Sequence, residues 1–176
     1  MDELPAFVAF DCNALICLTG ADCDDKTRLV HLFESIDKRK GQAIIPTPAL
    51  AEYLIGVDRA GLEFVQAFDR RAAIRFADFD IAAAFEAAQM HAAALGRGDK
   101  RDGASDVWQK VKYDTQIVAI AKANGARLMI SNDGGVRACA ARINLKVMRA
   151  DELPFPDAAR QHALQMEGGE ASAGAW

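Results

Sequence analysis

Apolar residues along this chain fall into two rhythms. Short, nearly continuous runs recur at FVAFD (7–11), QAIIP (42–46), AAIRFADF (72–79), ARLMISN (126–132) and LKVMRA (145–150). Runs of this length predict buried strands. Between them lie longer segments at 26–40, 47–57, 59–71, 80–96, 105–125 and 135–142. Those at 59–71, 80–96 and 105–125 place apolar residues at i, i+3 and i+4, the spacing of an amphipathic helix. Asp80 stands where an N-cap belongs, and Gly96 and Gly125 stand where helices should stop. Strands that alternate with helices predict a parallel sheet covered on both faces, and the unbroken LMI run suits a doubly covered strand. The expected fold class is α/β, a three-layer α/β/α sandwich with a central parallel sheet.

Size and composition narrow the setting. The 176 residues, 51% hydrophobic and 26% charged, suit one globular domain with a sizeable core. We expect that domain to span residues 1–153. A Gly/Ser/Ala-rich extension at 154–176 reads as mobile. No apolar stretch approaches the ~20 residues that cross a bilayer. The opening MDELPAF lacks the basic and apolar regions of a secretory signal, so the expected location is the cytoplasm, with no membrane partner. The four cysteines form no C-x-x-C pair and the three histidines follow no zinc spacing, which predicts reduced thiols in structural roles. A net charge of −4 gives no global basic field for nucleic acid, although a local basic rim remains compatible with it.

Chemistry enters with four acids. In open parallel sheets, ligands bind beyond the carboxyl ends of the strands. Asp11 ends the first strand run, and Asp133 follows the LMIS run just after Ser131 and Asn132. Glu52 lies about one turn into the helix after QAIIPTP, and Asp114 precedes the packed face formed by Ile117, Val118 and Ala121. Singly, each acid has a structural explanation. Asp11 serves as a helix N-cap, Glu52 as a solvated helix residue, Asp114 as the partner of Lys110 or Lys112, and Asp133 as a turn residue. Jointly they are costly. Two unit charges ~4 Å apart repel by about 1 kcal/mol in water and by about 4 kcal/mol at an effective dielectric of 20. A divalent cation reverses that cost, and oxygen ligands suit Mg²⁺ or Mn²⁺. Such a centre activates water and stabilises charge on a phosphoryl oxygen, the requirements of phosphodiester hydrolysis.

With these residues in place, the chain resembles the PIN-domain family of metal-dependent ribonucleases, including the toxin halves of VapBC toxin–antitoxin pairs. The resemblance spans roughly residues 6–153. FVAFDCNALI resembles the opening strand, IIPTPALAEYL the second motif, and KYDTQIVAIAKANGARLMISND the third and fourth together. It implies a Mg²⁺- or Mn²⁺-dependent endoribonuclease that is usually dimeric. Asp11, Glu52, Asp114 and Asp133 would then hold the metal. Asn13, Thr47 and Ser131 would orient carboxylates or solvent. The resemblance also implies an RNA substrate and an antitoxin protein as partner.

The chain departs from the family at several points. Many relatives carry another acid soon after the fourth motif, where this chain has Gly134, Gly135 and Val136. Cys12 stands where Thr or Ser is frequent; strand alternation would turn its side chain away from Asp11. For holding RNA, the best local basic cluster is Arg97, Lys100, Arg101, Lys110 and Lys112, with a solvated loop and helix face as the competing reading. Trp108 reads as a core or interface residue more readily than as a base-stacking one. Two other PIN functions compete: a catalytically silent module that binds RNA or protein, and a nuclease of RNA or DNA processing. A dehalogenase-type phosphatase would need an acid where Asn13 stands.

Overall fold

The computed structural model describes residues 4–99, 101, 103 and 107–156. Lys100, Asp102, Asp106 and all of the expected C-terminal extension beyond Pro156 lie outside them. Among the described residues, five strands form one sheet: β1 (Phe7–Phe10), β2 (Gln42–Pro46), β3 (Ile74–Ala77), β4 (Leu128–Ile130) and β5 (Lys146–Met148). Every pairing is parallel, and the order across the sheet is β3-β2-β1-β4-β5.

Among the described residues, seven α-helices connect and cover the strands: α1 (Cys12–Thr19), α2 (Asp24–Lys38), α3 (Thr47–Ile55), α4 (Arg59–Asp69), α5 (Ile81–Gly96), α6 (Trp108–Ala123) and α7 (Gly134–Ala141). Strand alternation divides the core between two faces. Val8, Phe10, Ala43, Ile45, Leu128 and Ile130 pack on one side against Leu15, Leu29, Phe33 and Phe68 from α1, α2 and α4. Ala9, Ile44 and Met129 pack on the other against Ala83, Ile117, Val118, Ile120 and Cys139 from α5, α6 and α7. This is the expected α/β/α sandwich, and both faces are closed.

The caps explain several boundaries. Asp80 accepts from the Ala83 N–H at 2.9 Å and starts α5. Gly125, at φ +79°, takes the left-handed conformation that ends α6. Pro48 sits in the first turn of α3, where its missing N–H costs nothing, so the helix begins directly after β2.

One element departs from the sequence pattern. The first strand stops at Phe10, and helix α1 begins at once. Its sequence, CNALICLT, has no polar stripe by which periodicity could mark a helix. Three of its residues, Ala14, Leu15 and Leu18, are buried against the sheet.

Candidate metal centre

The strand order changes direction between β1 and β4, because the chain builds outward to β3 and then returns to the other side of β1. A crevice opens at such a switch point, beyond the strand carboxyl ends. Asp11 and the segment Ser131–Asp133 leave the sheet there. The Asp11 N–H donates to the Ile130 carbonyl at 3.0 Å, so the two exits are stitched together. Helices α3 and α6 close the crevice. The resulting cavity, of about 480 Å³, is lined by Asp11, Glu52, Asp114 and Asp133, with Cys12, Asn13, Lys110 and Tyr113 among its other walls.

Each acid is held by a local device. Asp11 is buried, at 1% exposure, and N-caps α1 by accepting from the Cys12 N–H at 2.8 Å. Its other oxygen accepts from the Ser131 hydroxyl at 2.6 Å and, at a long 3.5 Å, from the Asn13 amide. Ser131 in turn accepts from the Asp133 N–H at 3.1 Å, which couples the first acid to the fourth through one hydroxyl. Asp133 N-caps α7, taking the N–H groups of Gly135 at 2.7 Å and Val136 at 3.1 Å. Asp114, buried on α6, meets Lys110 one turn earlier on the same helix. Glu52 is exposed on α3.

The structure sorts the four acids into two pairs. One ligand atom from each of Asp11, Cys12 and Glu52 lies within 4.8 Å of the other two, the tight cluster of potential metal ligands among the described residues. Asp114 and Asp133 are joined instead by the Lys110 ammonium, 3.2 Å from Asp114 and 3.1 Å from Asp133 at closest. Burial acts to raise the Asp133 pKa. The Val136 N–H, the Lys110 ammonium and the Gly135 N–H outweigh it and hold this acid below its ordinary value. Burial likewise acts to lower the Lys110 pKa, but Asp133 and Asp114 carry it above the usual lysine range.

Cys12 corrects a sequence expectation. Its thiol was expected to turn away from Asp11, but it lines the cavity beside Asp11 and Glu52. The strand ends one residue earlier, so alternation no longer governs position 12. Burial and then the neighbouring Asp11 and Glu52 charges push this thiol well above the ordinary range. The same causes, burial first and then Glu52, Cys12 and Asp11, raise Tyr113, whose hydroxyl donates to the Pro48 carbonyl at 2.8 Å and ties α6 to α3.

Other expected residues lie apart. Thr47 opens α3 but does not line the cavity, and its hydroxyl has no hydrogen bond among the described residues. Of the basic cluster, Lys110 is engaged by the acids. Lys112 lies 5.9 Å from the centre of the Trp108 ring, which meets His91 edge-on. Arg97 lines a separate cavity of about 270 Å³ between α5, α6 and α7, and Arg101 is exposed. Gly135 is the residue that sequence reasoning missed. A Cβ there would lie 2.2 Å from the Asp114 carboxylate, so glycine lets α7 begin against the third acid. Gly134 beside it has open space around its Cβ, so the crowding is specific to Gly135.

The donors fit a hard divalent cation. Carboxylates converge at a buried strand end, one of them is oriented by Ser131, and Glu52 offers an open rim. No family model matches the chain, and no curated protein sequence matches it. Solved structures do. A chain of VapBC2 from Rickettsia felis, bound to a DNA fragment from their promoter, matches with a TM-score of 0.56 and 16% identity, covering 81% of this chain and 97% of that one. A chain of DNA-bound VapBC from Salmonella typhimurium matches at 0.52 and 19% identity over the same shares. Together with the five-stranded parallel sheet and its acids, these matches give the chain the PIN-domain fold found in VapBC assemblies.

Proposed function

We propose that this protein is a Mg²⁺- or Mn²⁺-dependent endoribonuclease and the toxin half of a toxin–antitoxin pair. The observation that carries the proposal is the convergence of Asp11, Glu52, Asp114 and Asp133 on one cavity at the switch point of the sheet. Asp11 and Glu52 would hold the ion, with Asp114 and Asp133 completing the acidic wall. A divalent ion bound there supplies Lewis acidity toward a phosphoryl oxygen and lowers the cost of deprotonating water. The chain's own residues supply the rest. Ser131 orients the buried Asp11 carboxylate, and Asn13 approaches the same oxygen. Glu52, exposed at the rim, would help orient the attacking water and take its proton as the new P–O bond forms, while solvent protonates the oxygen released as the old one breaks.

Partners follow from the same reading. The two solved assemblies are VapBC complexes, which supports an antitoxin as the protein partner. A homodimer is supported by α5, which exposes Ile81 at 77% and Phe85 at 67%, one turn apart on one face. Arg97, Arg101 and Lys112 remain the candidates for RNA phosphates, and Lys110 leaves that group. Among the described residues no helix is long and apolar enough to cross a membrane.

The test is cleavage of RNA by the purified chain with Mg²⁺ or Mn²⁺, beside Asp11→Asn. Wild type should cleave only with the ion, and the variant should lose about 100-fold or more, on the scale of removing a catalytic electrostatic group. Equal activity in both proteins would remove Asp11 from the site. A wild type that neither cleaves RNA nor binds either ion would end the nuclease reading.

A further inference from the structure

Lys110 stands out within the cavity. Its Nζ lies 3.4 and 3.2 Å from the two oxygens of Asp114 and 3.2 and 3.1 Å from the two oxygens of Asp133. One ammonium thus spans both carboxylates, in the manner of a bridging cation. Asp133 is further committed, since its Oδ1 also accepts from Gly135 and Val136 at the start of α7. The Asp11–Glu52 side differs. The Glu52 carboxylate stands at the open rim beside the Cys12 thiol, and no lysine or arginine pairs with either acid among the described residues.

We propose that Lys110 is a built-in counter-charge that takes the place of a second divalent ion, so that this site carries one ion, on the Asp11–Glu52 side. The inference rests on the reading of these acids as metal ligands. Charge counting supports it. Four carboxylates less one ammonium leave the cavity with three net negative charges. One divalent ion brings that to one negative charge. A second would make the cavity net positive and would have to displace an ammonium that already contacts four oxygens. Without Lys110, the four carboxylates would balance two divalent ions, the arrangement of a two-metal hydrolase. The lysine is also well placed to stay. It sits four residues before Asp114 on α6, the spacing that stacks two side chains on one helix face.

The experiment is a count of bound Mn²⁺ on the full chain after chelator treatment. Calorimetric titration is read alongside the electron paramagnetic resonance signal of free Mn²⁺. Wild type should bind one ion, Lys110→Met two, and Lys110→Arg one. The methionine keeps the apolar stem and removes the charge, while the arginine keeps the charge. Two ions on wild type, or a single ion on a folded Lys110→Met, would overturn the inference and leave the nuclease reading standing. No ion on wild type would overturn the inference, and no RNA cleavage beside it would overturn the nuclease reading as well. Circular dichroism establishes whether each variant folds; if Lys110→Met does not, Lys110→Gln, also uncharged, takes its place, and a single ion on it overturns the inference.

Discussion

On the β4–α7 side of the cavity, Asp114 and Asp133 meet a full positive charge supplied by the protein. On the β1–α3 side, among the described residues, Asp11 meets only dipoles, a backbone N–H, a serine hydroxyl and an amide at its limit, and Glu52 meets the Cys12 thiol. The two halves are a few residues from the same sheet edge and carry the same formal charge. They differ in whether that charge is balanced from within. A balanced pair is a structural joint, here fastening α6 to the start of α7. An unbalanced pair at an open rim leaves a repulsion that a divalent cation would relieve, which is the role proposed for it here.

The largest expected difference between the halves lies in ion affinity. Glu52→Gln should weaken Mn²⁺ binding by more than about 100-fold, beyond the loss typical of residues that merely support a ligand. Asp133→Asn should leave the affinity within about threefold if the ion is held, as proposed, on the Asp11–Glu52 side. Calorimetric titration of both variants checks this, and equal losses would erase the distinction.

A second, smaller effect falls on the joint itself. In Gly135→Ala the new methyl would meet the Asp114 carboxylate at 2.2 Å, so α7 or Asp114 must shift. The expected cost is about 1–3 kcal/mol in denaturant-induced unfolding, the range of an overpacked site. Gly134→Ala, with nothing within 4 Å of its Cβ, serves as the control and should cost well under half as much.

The smallest effect is a pH dependence. Asp133 sits below its ordinary value of 3.8 in the folded chain, so its ionised form favours folding. That contribution is complete above pH 3.8 and is lost as pH falls below it through the depressed folded value. Thermal melts should therefore show wild type losing its advantage over Asp133→Asn only on the acid side of that point. An advantage that disappears nearer neutrality would mean that Lys110 does not hold this carboxylate.

Much of this architecture was legible from residue order. Continuous apolar runs at 43–45 and 128–130 read as strands covered on both faces, and the helical segments alternating with them pointed to a parallel sheet. The four acids were legible as well, because each lies just beyond a strand or one turn into a helix. Helix α1 was hidden by its nearly uniform apolar character. With it was hidden the position of Cys12, since strand alternation does not govern a residue that opens a helix. Lys110 was visible as a partner for Asp114 at i+4, but Asp133 lies 23 residues away, and no local pattern links them.

The sequence by itself determined which groups could do chemistry and which edge of the sheet they would reach. Strand and helix periods are local properties, and an acid placed just after a strand travels with it. Tertiary structure alone decided which acids became partners. The choice depends on helix α7 starting close enough to α6 for one ammonium to span two carboxylates, and that approach exists because Gly135 leaves no Cβ between them.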